Sequence, residues 1–524
     1  MGAIDWGIVL LYISGIIWLG FFIGSKQKGK EDYYLAGRRM KPWQVALSIV
    51  STQISAISLI GAPAFVAIRK GGGLFWLQYE FAVPLAMIGI LIFLVPVYHR
   101  KGLVSIYEFL ESRFDRQVRK AISFIFLLSR GAGTAVALLA TSVVTAVCLS
   151  ISLKYTILLV GVVTIIYTTM GGIKADIYSD IMQFFIFVAG VLFSVGFVSL
   201  YLLKTGMPLS FPEITRLNIF KIKELGFRSG ETFGFWPMLI GGFFLYFSYY
   251  GCDQSQAQRL LTTANAEDAQ KALVLNGIWR FPITLLYLFF GLLLIPFINT
   301  HPSFYKFIQG KPVNFLVPQF IIQFFPAGLK GLMVSGIFAA TMSSVDSALN
   351  SLSAVTWEDF LSPLFAKGKK EGVFVLRLLT ILWGIFAIGV AFIFIKSSET
   401  VIELVNMIGS AFYGPILAVF LLGVFFSGIN GKSVLLGLLA GVTTNVVLWG
   451  FFKEKVSWMW WNFIGFSIPF LITFAIENLR GQTLKFNTLS FDKISKNYAL
   501  ILFVAFSVFI LTAFILEKLI LFLR

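Results

Sequence analysis

Apolar runs long enough to cross the ~30 Å hydrocarbon core of a bilayer, about 20 residues each, recur along the whole chain and are separated by short polar segments. They lie near 5–24, 43–68, 74–98, 120–149, 154–171, 176–203, 235–261, 270–298, 328–356, 371–396, 400–427, 432–452, 456–475 and 498–522. This predicts about fourteen membrane spans. Several runs carry internal Gly or Pro, and the short alternating strands of a closed barrel are absent, so the spans read as helices. The first run, Ile4 to Gly24, lacks a basic leader and a small-residue cleavage site and reads as a retained helix.

Composition fits this picture. The 524 residues are 58% hydrophobic and only 13% charged, with a mean hydropathy of +0.86, a surface that water would not dissolve. The longest segments between spans, 204–234 and 299–327, hold about 30 residues each. They are too short for a separate domain, so 1–524 reads as a single membrane domain.

Loop charge predicts orientation. With Lys26 to Lys41 in the cytoplasm, the segments holding Arg100 to Lys120, Lys174, Arg259 to Lys271, Lys367 to Lys370 and Arg480 to Lys496 face the same way. That side collects roughly 24 basic residues against roughly 16 outside, which places both termini outside the cytoplasm. The net charge of +17 then reflects topology and attraction to anionic headgroups, since no basic soluble domain exists to bind nucleic acid.

Other chemistries find little support. Cys148 and Cys252 fall inside spans, His99 and His301 sit in loops on opposite sides, and no catalytic constellation faces water. The chain does not read as an enzyme. N-x-S/T sequons are absent, which favours a prokaryotic inner membrane. The expected partners are a small-molecule solute and the lipid bilayer, with no obligate protein partner evident.

Polar residues within the spans carry the functional information, because an ionisable group at bilayer depth must be paired, hydrated or bound to an ion. Arg130 lies ten residues beyond Lys120, about 15 Å along a helix. It would grip a carboxylate of the substrate or pair with Asp or Glu on a neighbouring helix. In Ala339 to Ser351, AATMSSVDSALNS, the residues Ser343, Asp346, Ser347 and Asn350 share a helix face. Such oxygens suit a hard monovalent cation, though serines also bond their own backbone. A second polar stretch, Ser48 to Ser58, precedes Gly61 and Pro63. It reads as a discontinuous helix with backbone groups exposed at the midplane, or as close packing through small residues.

The motifs EDYYLAGRRM (31–40), TQISAIS (52–58), SIYEFLESRF (105–114), GGIKADIYSDIMQ (171–183), GCDQSQAQRLL (251–261), FAATMSSVDSALNS (338–351) and GPILAVFLLGVF (414–425) resemble those of the sodium/solute symporter family. The resemblance implies an all-α leucine-transporter-type fold of two inverted five-helix repeats, 43–203 and 235–427. One extra helix, 5–24, would precede them and three helices, 432–522, would follow. Polar breaks near 51–63 and 247–256 would open the two repeats.

The resemblance also implies alternating access driven by sodium. A principal sodium ion would take backbone carbonyls of Ser51, Ile54 and Ala340 with the hydroxyls of Ser343 and Ser344. The sialic acid branch implies a second sodium near Asp180, Asp346 and Ser347, with Asp346 standing where that branch has a hydroxyl. For substrate, the same branch points to Gln53, Ser55, Ser58, Gln78 and Arg130, and so to a sugar acid or other carboxylate. The galactose branch points to Asp253, Arg280 and Asn406, and so to a neutral sugar. A carrier coupled to protons through Asp180 or Asp346 is the remaining alternative.

Overall fold

The computed structural model describes residues 1–24, 34–54, 56–103, 105–169, 173–206, 211–362, 371–397, 399–482, 484–487 and 493–522. Among these, nine helices are long and apolar enough to cross a bilayer, and one bent helix pair forms a further span. The helices in chain order are α1 (Ala3–Gly24), α2 (Pro42–Gln53), α3 (Ala56–Ala67), α4 (Leu74–His99), α5 (Arg116–Leu149), α6 (Leu153–Thr168), α7 (Ile173–Thr205) and α8 (Gly242–Cys252). There follow α9 (Gln254–Leu261), α10 (Ala266–Asn299), α11 (Leu329–Val355), α12 (Glu371–Phe394), α13 (Val401–Phe425), α14 (Gly431–Phe452), α15 (Trp460–Leu479) and α16 (Lys493–Phe522).

Local sequence sets several helix ends. Asp115 caps α5 by accepting from the amides of Gln117 and Val118 at 2.8 and 2.9 Å, and Asn265 caps α10 through the Asp268 amide at 2.8 Å. Thr400 and Glu403 form a reciprocal capping box at the start of α13. Each satisfies amides that a helix start leaves unbonded.

Two helices are interrupted inside the bundle. Between α2 and α3 the chain bends by 54°, with Ile54 at φ −84° and ψ 78°, outside helical geometry. Between α8 and α9, Asp253 is extended at φ −87° and ψ 122°. The half-helix α3 is held by close backbone approach: a β-carbon on Gly291 of α10 would lie 2.7 Å from Pro63 Cα and 2.8 Å from its carbonyl oxygen. Only glycine fits there without displacing backbone.

Packing sorts the helices by depth. Helices α5, α10 and α13 are mostly buried, whereas α16 exposes Leu500, Phe503, Val504, Leu511 and Phe514 along its length. An outward apolar face of this extent is matched by lipid tails rather than by water. The inner helices therefore enclose whatever polar groups the interior holds.

Candidate substrate and sodium site

The break after α2 leaves the carbonyls of its last turn without the amides of a following turn. Ile54 N still donates to Val50 O at 2.8 Å. Helix α11 packs across this end, and Ser344 Oγ donates to Thr52 O at 2.8 Å. Ser51, Ile54 and Ser344 are all buried. Ser55 and the side chains of Ala340 and Ser343 lie outside the described residues. Helix-end carbonyls beside a serine hydroxyl form an all-oxygen, uncharged donor set, which fits a hard monovalent cation that must also be released.

Next to this junction is a cavity of about 100 Å³, lined on one side by the broken helix and on the others by α4, α5, α8, α10, α11 and α13. Of the substrate residues predicted from sequence, Gln53, Ser58, Arg130, Arg280 and Asn406 line it. Ser344 and Thr52, which it bonds, both line the cavity, so the sodium candidate and the cavity are contiguous.

Gln78 and Asp253 are not among the lining residues. The Gln78 amide is fully buried and engaged: it donates to Phe75 O and Phe233 O at 3.0 and 3.1 Å and accepts from Lys221 N at 2.9 Å. It pins the 221–233 segment over α4. Its neighbour Tyr79 faces the cavity instead and donates to Asn406 Oδ1 at 3.2 Å. Asp253 caps α9, accepting from Ser255 N at 2.8 Å and Ser255 Oγ at 2.6 Å.

Arg130 and Arg280 present contrasting surroundings. Arg280 is neutralised by a buried bidentate pair with Glu80, at 2.8 and 3.2 Å, and Tyr246 also donates to Glu80 at 3.2 Å. Arg130 has no carboxylate within ion-pair distance among the described residues. Its guanidinium carbon lies 5.9 Å from the centre of the Tyr249 ring, while Asp253 acts on it from farther away. Tyr413 donates to Asp253 Oδ2 at 3.5 Å.

Among the described residues, three buried side-chain atoms lining the cavity have no hydrogen-bond partner: Arg130 Nε, Arg280 Nη1 and Gln53 Oε1. Buried polar atoms are rarely left this way, because each forfeits its hydration without return. Two are N–H donors and one is an acceptor.

The second cation cluster lies deeper between α2, α7, α9 and α11. Arg259 Nη2 bonds Asp180 Oδ2 at 3.2 Å and also Ser347 Oγ, and Arg259 Nε donates to Ser48 Oγ at 2.7 Å. Ser48 in turn donates to Asp180. A protein cation thus stands between Asp180 and Ser347. Asp346 faces a different carboxylate, Asp176, and Asn350 donates to both at 3.3 Å.

Ion pairs occupy both ends of the bundle. At one end Arg69, just beyond α3, pairs with Glu399 at 2.9 Å and Glu403 at 3.1 Å, and Lys453 reaches Glu399 at 3.2 Å. At the other, Arg119 bridges Glu111 at 2.6 Å and Asp359 at 2.5 Å. Burial holds the Asp359 carboxyl above its ordinary value despite Arg119.

The sequence reading missed Glu80, Tyr79, Tyr249, Tyr413, Arg259 and Asp176. A signal existed for Glu80, an acidic residue within an apolar run, which at that depth demands a partner. The tyrosines gave none, since aromatic residues fill such spans for packing alone.

A model of the sodium:solute symporter family matches residues 33–441. The chain belongs to that family. It is 27% identical over 480 residues to the sodium/sialic acid symporter NanT of Aliivibrio fischeri, covering 88% of this chain and 91% of that protein. It is 29% identical to sodium-coupled monocarboxylate transporter 1 of Xenopus laevis, over 84% of this chain and 70% of that one. Among solved structures, a substrate-bound outward-open Na+-coupled sialic acid symporter superposes with TM-score 0.78 at 22% identity, covering 92% of this chain and 99% of that chain. The transporter Mhp1 in a closed conformation superposes at 0.53 with 14% identity, covering 89% of this chain and 97% of that one. The symporter therefore has the leucine-transporter-type fold and is a multi-pass membrane protein that couples solute uptake to sodium; it is a carrier, not an enzyme.

Proposed function

We propose that this symporter takes up a compact carboxylate that also bears a hydroxyl. The carrying observation is the set of three unpartnered cavity atoms. Arg130 Nε and Arg280 Nη1 ask for two acceptors and Gln53 Oε1 asks for a donor, and a hydroxy acid supplies all three. Arg130 takes the carboxylate, because Glu80 has already neutralised Arg280 whereas Arg130 has no such partner. Arg280 and Asn406, which the galactose branch assigns to sugar hydroxyls, then meet the second oxygen. Size argues for a small solute: a buried water needs roughly 10–15 Å³ of such space, so a cavity of about 100 Å³ holds a molecule of about seven to ten heavy atoms. Sugar acids at the short end of that class fit, as do short hydroxy acids.

In this reading the principal sodium binds at Ser51, Ile54, Ala340, Ser343 and Ser344, bridging α11 to the broken helix and so stabilising the form in which the cavity is shaped for substrate. The repeats run over 43–203 and 235–427, both termini lie outside the cytoplasm of a prokaryotic inner membrane, and the Arg69 pairs close the outer end while the Arg119 pairs close the inner end. The test is a thermal-shift and uptake screen of the purified protein with lactate, pyruvate, short sugar acids, their amides, and neutral sugars, each with and without sodium. Stabilisation by acids in sodium alone is the expected result. Equal stabilisation by an acid and its amide overturns the carboxylate reading, and response only to neutral sugars returns the galactose-type assignment to first place.

A further inference from the structure

Among the described residues, two glycines line the cavity, Gly133 of α5 and Gly409 of α13, and their surroundings differ. A β-carbon built on Gly409 would lie 2.6 Å from Cε2 of Tyr413, one turn along the same helix. The Tyr413 ring thus lies over Gly409 and fills the space a side chain would take. Beyond its own stretch of α5, a β-carbon on Gly133 meets, among the described residues, only Val405 Cγ2, at the ordinary contact distance of 3.8 Å. Gly131, two residues earlier, shows the contrast of a glycine required for packing: a β-carbon there would lie 2.9 Å from Phe386 and 3.0 Å from Trp383 of α12.

Backbone geometry does not call for glycine at 133 either, since it lies inside α5 without a positive φ. A glycine in a helix interior is destabilising relative to alanine, and neither packing nor conformation offsets that here. What the missing side chain leaves is room in the cavity. Gly133 and Arg130 line the same wall, three residues and about 4.5 Å apart along the helix. The hydroxyls beside them are turned to the backbone, Ser129 donating to Phe126 O at 3.2 Å and Thr134 to Arg130 O at 2.7 Å. With a carboxylate held at Arg130, the substituent on the neighbouring carbon comes to lie at Gly133, against the apolar side chain of Val405. One methyl group takes about the room of one water, roughly 10–15 Å³ in this measure, out of a cavity of about 100 Å³. Close-packed walls do not yield that room freely.

We propose that Gly133 is a specificity-determining residue: it sets the size of solute the symporter accepts by leaving open the space beside Arg130. The placement of the substituent there rests on the carboxylate reading above, whereas the size limit holds for any solute in this cavity.

The experiment is calorimetric titration of the purified full-length protein, in sodium, with two series: straight-chain 2-hydroxy acids from glycolate through lactate to 2-hydroxyvalerate, and neutral sugars from glyceraldehyde to galactose. In Gly133→Ala, the ratio of dissociation constants between the largest and smallest ligands that the parent binds rises about tenfold, the worth of one methylene in a close-fitting pocket. Gly133→Ser gives a similar rise, because size rather than polarity decides. Without ligand, Gly133→Ala melts at or above the temperature of the parent, since alanine favours the helix. A ratio unchanged from the parent overturns the proposal. So does a uniform loss of affinity across the series, or a lower melting temperature without ligand, which would show that the space was not open. The series that the parent binds answers the other question: binding of neutral sugars alone overturns the carboxylate reading, while a raised ratio within that series still supports Gly133 as the size limit.

Discussion

The hydroxyl of Ser344 donates to the carbonyl of Thr52 across 2.8 Å, joining α11 to the last turn of α2 at the point where that helix stops. In this geometry, sodium bound beside Ser344 would hold the two elements together, and its loss would release them. Ser343→Ala together with Ser344→Ala removes two candidate oxygen ligands. The sodium concentration for half-maximal uptake should rise at least tenfold, or about 1.4 kcal/mol. An unchanged sodium dependence in the folded double variant counts against this placement.

Asp180 behaves differently because its counter-ion is part of the protein. Asp180→Asn strands the buried Arg259, whose side chain is 2% exposed, and breaking such a pair costs about 3–5 kcal/mol. Melting without sodium should fall accordingly, and Asp180→Asn combined with Arg259→Gln should recover part of the loss. If Asp180 chiefly ligated sodium, the single variant would melt like the parent in sodium-free buffer.

The parts of this structure legible in sequence were those set by periodicity and by the cost of charge in lipid. The apolar runs located the helices, and the polar stretch 48–58 marked a break because hydroxyls and amides there had no reason to face hydrocarbon. Arg130 was legible on the same ground. Partnership was not: nothing in spacing along one helix says that Glu80 meets Arg280, 200 residues away, or that Arg259 fills the space between Asp180 and Ser347. Gln78 and Tyr79 show the limit at single-residue scale. Both lie on one helical turn, and only the packing of the 221–233 segment decides which of them the cavity receives.

Arg69 supplies a test of the conformational cycle. Its pairs with Glu399 and Glu403 tie the end of α3 to the start of α13, with side chains 2–25% exposed. Partly exposed pairs contribute about 1 kcal/mol, enough to shift a two-state population about fivefold. Arg69→Gln should therefore raise the labelling rate of a cysteine placed at Val405, which lines the cavity, by an external membrane-impermeant thiol reagent. No change in rate would mean that the pairs do not close the outer end.

The most informative single residue is Arg130, because its environment separates a substrate anion from a protein anion. Asp253, the carboxylate that acts on it, is occupied by the Ser255 amide and hydroxyl and by Tyr413, so the guanidinium is left beside the Tyr249 ring with an Nε that has no partner among the described residues. Arg130→Gln should weaken an acidic solute by about 2–5 kcal/mol and leave sodium-induced stabilisation nearly intact. If Asp253 were the true counter-ion, the same change would strand it and lower the melting temperature without ligand. Arg280→Gln is the contrasting control. It leaves Glu80 buried at 0% exposure beside Tyr246 alone, so the ligand-free protein should lose about 3–5 kcal/mol. A ligand-specific defect in Arg130→Gln with a stability defect in Arg280→Gln fits a carboxylate held at Arg130; the reverse pattern places the solute's principal anchor at Arg280 and removes the reason to require an acid.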